Sequence, residues 1–124
     1  DAWRPLSAMK ASTVVHADKH ITTIDELDAI LASHDKVLID LTADWCVECR
    51  IMERELFTDR PEALNDVQVV KFDITEVTDD GRALLDRYQL MGPPALIFYQ
   101  KGKLHNIMLG QTKRAEFETA LANF

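Results

Sequence analysis

The chain contains two cysteines, Cys46 and Cys49, separated by two residues. Two thiols at this spacing can form a disulfide with each other, and either thiolate can attack a disulfide in another molecule. The pair falls where an apolar, strand-like run gives way to a helical pattern, so Cys46 is predicted in the first turn of a helix. Free N–H groups and the helix dipole stabilise a thiolate there. We therefore interpret the pair as a redox-active dithiol, with an exposed Cys46 attacking a disulfide and a shielded Cys49 resolving the mixed disulfide.

Two other interpretations of the cysteines stay open at this point. A disulfide between them would close a very short loop and would restrain the unfolded chain only slightly, which disfavours a purely stabilising bridge. A metal site would need two more ligands. The four histidines show no matching spacing: His16, His20, His34 and His105. We expect no metal and no cofactor, because the disulfide itself carries the electrons.

Two carboxylates lie within reach of the dithiol. Asp40 interrupts the apolar run 37–41, where a charge is costly to bury, and Glu53 follows Cys49 by four residues on the same helical face. A desolvated carboxylate has a raised pKa and can accept the proton that Cys49 loses, so both are candidate catalytic residues. The alternatives are a structural acid for Asp40 and an ordinary surface glutamate for Glu53. Lys71 could neighbour Asp40, although a solvent-exposed strand-end lysine is the preferred interpretation.

The rest of the pattern alternates strands and helices, recognised by their apolar periods. Strands are predicted over 13–21, 37–41, 67–74, 95–99 and 104–109. Helices are predicted over 24–33 behind a Thr23–Glu26 capping box, 46–57, a short segment from Pro61, 79–88 and 112–123. This order predicts an α/β fold, a mixed central sheet with helices on both faces, over residues 13–124 behind a tail or linker, 1–12. Chemistry in such sheets lies beyond the carboxyl ends of the strands, where Cys46 falls.

Charge and hydropathy limit the classes of partner that this chain could bind. The net charge of −7 argues against nucleic acid, because phosphate binding requires a basic face. No apolar run approaches the roughly 20 residues that a membrane-spanning helix needs, so direct insertion of this segment into a bilayer is not expected. We expect a monomer when the domain is isolated.

Several of these residues together resemble the thioredoxin family. They are Asp40, Pro94 and the run Trp45-Cys46-Val47-Glu48-Cys49. The resemblance implies a thioredoxin fold and a protein-disulfide reductase in which Cys46 attacks and Cys49 resolves. It also implies that Pro94 is a cis-proline beside the cysteines and that Asp40 and Glu53 tune them.

Within that family, the chain is similar to the C-terminal periplasmic domain of the DsbD family of bacterial inner-membrane thiol:disulfide interchange proteins. The residues that carry this likeness lie in 38–41, 43–49 and 58–61, together with Glu53. It implies a periplasmic domain of an inner-membrane protein that takes electrons from a transmembrane domain. Those electrons would pass to an N-terminal periplasmic domain of the same protein through transient mixed disulfides. The alternatives are a free-standing thioredoxin-like reductase and a non-catalytic binding module.

Five residues are candidates for binding a partner. Trp45 precedes the dithiol, Val47 and Glu48 lie between its cysteines, and Pro93 and Pro94 form the later proline turn. Two of them depart from the family pattern. Glu48 places a negative charge between the cysteines, where a small neutral residue is expected. Pro93 has no N–H, so only its carbonyl is available to hydrogen bond a docking strand.

Overall fold

The computed structural model describes residues 18–124, in which a five-stranded mixed sheet is covered by helices on both faces. The predicted tail 1–12 and the first part of the predicted edge strand lie outside the described residues. The strands are β1 (Lys19–Ile21), β2 (Lys36–Thr42), β3 (Gln68–Asp73), β4 (Ala95–Gln100) and β5 (Lys103–Leu109). Their order in the sheet is β1-β3-β2-β4-β5. The strand β2 is therefore central, as its nearly continuous apolar run predicts.

Parallel and antiparallel pairing divide the sheet. The strand β3 pairs in parallel with both β1 and β2, whereas β4 runs antiparallel to β2 and to β5. In the β2–β3 register Asp40 lies opposite Lys71, which places their side chains on one face of the sheet.

Within residues 18–124, four α-helices connect and cover the strands: α1 (Ile24–Ser33), α2 (Val47–Met52), α3 (Asp79–Tyr88) and α4 (Arg114–Ala122). The predicted capping box is confirmed, since the Thr23 hydroxyl accepts the Glu26 N–H and donates to the Glu26 carboxylate. Thr78 caps α3 in the same way by accepting the Gly81 N–H. None of the helices among residues 18–124 is long and apolar enough to cross a membrane.

Three predicted helix boundaries were wrong. Cys46 caps α2 instead of lying in its first turn, and the helix changes to a π-helix over Glu53–Thr58. Pro61 precedes a 3₁₀ segment, Glu62–Asp66, which begins one residue after it. The last helix begins at Arg114, two residues later than predicted, because the Lys113 N–H is bonded by the Glu116 side chain and the helix starts behind that cap.

The core consists of two clusters, one on each side of the sheet. The first cluster joins α1 and α3 to one face, and it includes Cys46 and Cys49 with Ile39 and Leu41. The second cluster joins the α2–π-helix segment and α4 to the other face: Met52, Leu56, Phe57, Phe117 and Leu121 against Leu38, Val69, Leu96 and Phe98. The dithiol helix is thus fixed to the sheet by residues that follow the cysteines.

We predict that the second cluster determines stability through Leu56. The Leu56→Ala substitution should lower the free energy of unfolding by about 2–5 kcal/mol, because this fully buried side chain would leave a cavity. Leu104→Ala, the same change at a side chain that is 50% exposed, serves as the matched control and should cost much less. Urea unfolding followed by circular dichroism measures both. Equal losses in the two variants would contradict this account.

Candidate redox-active site

The two cysteines form a disulfide where the chain leaves the carboxyl end of β2 and enters α2. Their Cα atoms are 5.3 Å apart. The Cys46 sulfur accepts a hydrogen bond from the Cys49 N–H at 3.1 Å, so it satisfies one of the free donors at the start of α2. The Cys49 sulfur lies 3.8 Å from the carbonyl oxygen of Leu41 in β2. The site is therefore assembled from the end of one strand and the first turn of one helix.

Both sulfur-bearing residues are buried in this oxidised state. Cys46 is 4% exposed and Cys49 is 7% exposed, so the prediction of an exposed Cys46 above a shielded Cys49 was wrong for the disulfide form. The physical reason is that Cys46 turns its sulfur inward, towards Cys49 and its N–H. The two cysteines therefore differ in position along the helix and not in exposure.

Exposed apolar side chains adjoin Cys46 along the chain and extend into a groove that Trp45 lines. Trp45 is 60% exposed and Val47 is 57% exposed, and Met91 is fully exposed. Trp45, Met91 and Pro93 line one groove together with residues of α3, which begins nearby. Exposed apolar groups clustered at a groove indicate a contact surface for another molecule. The predicted position of Trp45 on an exposed face is confirmed.

The peptide bond between Pro93 and Pro94 is cis, as the resemblance implied. Pro94 is buried, and its carbonyl accepts the N–H of Gly110 at 3.0 Å, which ties the turn to the end of β5. Pro93 is half-buried and lines the grooves on both sides of this turn. Its position fits a docking role, and its ring leaves that docking edge without an N–H at residue 93.

Glu48 is exposed between the cysteines, and its side chain has no hydrogen bond or ion pair to another residue in the part of the chain described. The nearby Arg50 guanidinium instead donates to the Asp44 carbonyl at 2.7 Å. The negative charge of Glu48 therefore faces solvent, next to the exposed Val47.

Asp40 is 6% exposed in the centre of β2. The pKa of Asp40 is raised to about 7, chiefly because burial removes its hydration. The negative charges of Glu53 and Asp18 contribute to the rise, and the positive charge of Lys71 opposes it. A carboxyl group with this pKa can both accept and release a proton near neutral pH.

Lys71 links the two predicted carboxylates. Its ammonium group forms an ion pair with Glu53 and lies 5.1 Å from the centre of the Phe57 ring. The Lys71 side chain is only 19% exposed, so the interpretation of Lys71 as a solvent-exposed lysine was wrong. It lies in the middle of an apolar strand, opposite Asp40, and burial there requires a counter-charge.

The predicted site residues fall into two groups. Asp40 and Glu53 come together around Lys71 on the face of the second cluster, whereas the cysteines pack with the first cluster. The two groups meet at Leu41, because its carbonyl lies against the Cys49 sulfur and Asp40 directly precedes it. The sequence analysis did not single out Asp73 and Thr75, which bond to each other and, through Thr75, to Asp44 and Trp45 ahead of Cys46. Their polar run after an apolar strand was the available signal. Within residues 18–124, no three acidic, histidine or cysteine side chains are grouped so that they could hold a metal ion.

A mixed sheet, a dithiol at the start of a helix and a cis-proline turn with a groove on each side define a thioredoxin-like thiol:disulfide exchange domain. A family model described as Thioredoxin matches residues 18–123, nearly the whole chain. The chain belongs to the thioredoxin family, and it is a thiol:disulfide oxidoreductase by its fold and its dithiol.

Individual relatives fall into two groups. The thiol:disulfide interchange protein DsbD of Pseudomonas fluorescens is 39% identical over 110 residues, which cover 79% of this chain and 19% of that protein. DsbD 1 of Pseudomonas aeruginosa is 42% identical over 90 residues, covering 68% of this chain and 15% of the relative. The chain therefore spans less than a fifth of the length of these two relatives. Thioredoxin of Mycoplasmoides gallisepticum is 31% identical, with 83% of this chain and 98% of that protein covered.

Solved structures confirm the predicted thioredoxin fold. A mutant thioredoxin from Halobacterium salinarum superposes with a TM-score of 0.70 at 25% identity, covering 86% of this chain and 88% of that one. Mitochondrial thioredoxin 3 from Saccharomyces cerevisiae gives a TM-score of 0.72 at 22% identity, covering 86% and 95%.

The buried carboxyl group gives a stability prediction. Because the pKa of Asp40 is raised in the folded state, the folded chain binds a proton more tightly than the unfolded chain, and stability falls as pH rises from about 4 to about 7. Asp40→Asn should therefore raise the free energy of unfolding at pH 8 by up to about 4 kcal/mol, with little change at pH 4. Urea unfolding across this range measures the difference. Asp86→Asn, at an exposed position, is the control, and a pH-independent effect of Asp40→Asn would refute the assignment.

The charges around Asp40 give a second prediction, with opposite signs for two substitutions. Lys71→Met should raise the pKa of Asp40 above its wild-type value, because an attractive charge is lost. Glu53→Gln should lower it, because a repulsive charge is lost. Carbon-detected NMR titration of the Asp40 carboxyl group measures both shifts, and Lys36→Met controls for loss of a lysine elsewhere in the sheet. Shifts of the same sign would contradict the arrangement.

Proposed function

We propose that the chain is a periplasmic domain of an inner-membrane protein that relays electrons by dithiol–disulfide exchange. It takes two electrons from a transmembrane domain and gives them to an N-terminal periplasmic domain of the same protein. The observation that carries this proposal is the buried Cys46–Cys49 disulfide at the start of α2, with exposed Trp45 and Val47 on either side of Cys46 and exposed Met91 in the groove that Trp45 lines. The named DsbD relatives support the wider context, since they match over most of this chain.

The first step is attack by the reduced domain on a partner. The Cys46 thiolate attacks one sulfur of the partner disulfide, the partner S–S bond breaks, and the released partner thiolate takes up a proton. Cys46 is the attacker because its sulfur faces the Cys49 N–H at the helix start, where a negative charge is stabilised. The product is a mixed disulfide between Cys46 and the partner.

The second step resolves the mixed disulfide. Cys49 loses its proton and attacks the Cys46 sulfur, which forms the Cys46–Cys49 bond and releases the partner's second thiolate. Two electrons have then moved to the partner. In this proposal Asp40 is the proton acceptor, because its pKa of about 7 suits that task and its strand lies against the Cys49 sulfur. Glu53 and Lys71 act by adjusting the charge around Asp40.

The docking surface in this proposal is the apolar rim, formed by the exposed side chains of Trp45, Val47 and Met91. A partner segment would lie in the groove between Trp45 and Met91 and would cross the Pro93–Pro94 turn. Since residue 93 offers no N–H, the partner would bond that turn through a donor of its own. Glu48 would meet the partner directly, because it is exposed and has no counter-ion among the described residues.

One observation favours a second candidate, a free-standing thioredoxin-like protein-disulfide reductase. The Mycoplasmoides gallisepticum thioredoxin is matched over 98% of its length, so a domain of this size can be a complete thioredoxin. The chemistry at Cys46 and Cys49 is the same in both candidates. They differ in the partner that is reduced.

Trapping the mixed disulfide tests the proposal. Cys49→Ala should accumulate a covalent adduct through Cys46 when the domain is produced in a bacterial periplasm, because the resolving thiol is absent. Non-reducing electrophoresis and mass spectrometry identify the partner. A DsbD-type periplasmic or transmembrane domain supports the relay, whereas soluble disulfide proteins alone support the free-standing reductase.

The matched control is Cys46→Ala, which retains one thiol on the same helix but lacks the attacker. This variant should form no adduct, and a reducing agent should release every adduct of Cys49→Ala. If neither variant forms a mixed disulfide with any protein, the exchange mechanism is wrong. A stoichiometric zinc ion in the reduced wild-type domain would instead favour a binding module.

A further inference from the structure

Thr75 holds the two residues that directly precede the attacking cysteine. Its hydroxyl oxygen accepts the Asp44 N–H at 2.8 Å, and its carbonyl oxygen accepts the Trp45 indole N–H at 3.2 Å. Thr75 lies just beyond the end of β3, which is the neighbour of β2 in the sheet. One residue on the adjacent strand connection therefore fixes both the backbone and the aromatic ring on the way to Cys46.

Asp73 orients that threonine. One oxygen of its carboxylate accepts both the Thr75 hydroxyl, at 2.5 Å, and the Thr75 N–H, at 2.8 Å. Desolvation raises the pKa of Asp73, but the Thr75 hydrogen bonds and His20 outweigh it and hold the pKa below its ordinary value. An ionised carboxylate only accepts, so the hydroxyl proton points to Asp73 and a lone pair is left for Asp44. His20 on β1 lies 2.8 Å from the other carboxylate oxygen.

The network matters because Trp45 has little else to fix it among the described residues. Trp45 is 60% exposed, so packing restricts its ring less than that of a buried aromatic residue, and the hydrogen bond of its indole N–H adds a directional restraint. The bond to Thr75 places the ring as one wall of the groove that Met91 and Pro93 also line.

We propose that Asp73 and Thr75 are positioning residues for disulfide exchange, which hold Asp44 and Trp45 in the geometry that a docking partner meets. Among the described residues, the hydrogen bonds of Asp73 and Thr75 do not involve a reacting sulfur. The inference deepens the proposed function, and it rests on that function only in treating Trp45 as a surface that partners contact.

The first test reads the Trp45 ring directly and needs no partner. The chain has two tryptophans, so Trp3→Phe leaves Trp45 as the sole tryptophan fluorophore. In that background, Thr75→Val and Asp73→Ala should lower the fluorescence anisotropy of Trp45, because each removes side-chain bonds that hold in place the Thr75 backbone, whose carbonyl accepts the Trp45 N–H. Thr75→Ser and Asp73→Asn keep an oxygen at the same place and should retain the wild-type value. Unchanged anisotropy in both Thr75→Val and Asp73→Ala would overturn the inference.

The second test separates positioning from thiol chemistry. The reduced domain is mixed with a small aromatic disulfide, 5,5′-dithiobis-(2-nitrobenzoic acid), or with a disulfide-cyclised peptide that has apolar flanking residues. Thr75→Val should lower the second-order rate constant for the peptide about three- to tenfold, the effect of one hydrogen bond, and leave that for the small disulfide unchanged. Thr75→Ser should restore the peptide rate. Equal losses with both disulfides would show an effect on the dithiol itself and would refute a positioning role.

The two ideas fail in different ways. If the wild-type domain exchanges with neither disulfide, the proposed function is wrong, and the anisotropy measurements still decide whether Asp73 and Thr75 fix Trp45. If exchange is rapid but anisotropy is unchanged in the variants, the positioning inference is wrong and the proposed function stands. Circular dichroism of each variant confirms that the compared proteins are folded.

Discussion

The sulfur of Cys46 is both the cap of a helix and one half of a disulfide. It accepts the N–H of Cys49, a role that serine, threonine or aspartate oxygen usually fills. The backbone hydrogen bonding of α2 therefore fixes the position of the reactive atom. The Cys49 N–H, a free donor of the helix that this sulfur satisfies, is also the group that favours a negative charge on the sulfur. Folding of the first turn and preparation of the attacking thiolate depend on the same interaction.

The central strand separates the sulfur chemistry from the buried carboxyl group. Asp40 shares a face with Lys71 and the second core cluster, whereas Cys46 and Cys49 pack with the first cluster. The end of β2 connects the two, because the Leu41 carbonyl lies beside the Cys49 sulfur and Asp40 directly precedes Leu41. In the proposed mechanism the electrons leave at the exposed rim and the proton is held inside the sheet. This separation lets a partner cover the dithiol without displacing the group that holds the proton.

The sequence predicted the fold and the dithiol well because both depend on local patterns. Each of these patterns can be recognised from a few neighbouring residues: the apolar periods, the Thr23 capping box and the change from strand to helix at Cys46. The error over Lys71 concerns contacts between distant segments. The burial of Lys71 depends on a register with β2 and on an ion pair from the π-helix, which no window around residue 71 contains.

The role of Thr75 was equally hidden, because it acts on residues about thirty positions earlier across a parallel strand pair. The inward turn of Cys46 could not be predicted either. It follows from the hydrogen bond that its own sulfur accepts, and that bond exists only once α2 has formed.

The burial of Asp40 has a consequence for the evolution and engineering of this domain. Single domains are stable by only about 5–15 kcal/mol, so a carboxyl group that resists ionisation in the core removes a considerable share of that margin above neutral pH. A sequence selected for stability alone would place an aliphatic residue at position 40, as on either side of it. Selecting substitutions in this domain for stability alone would therefore tend to remove the residue that accepts the proton in the proposed chemistry. Searches for more stable variants should hold position 40 fixed and seek their gains in the second core cluster.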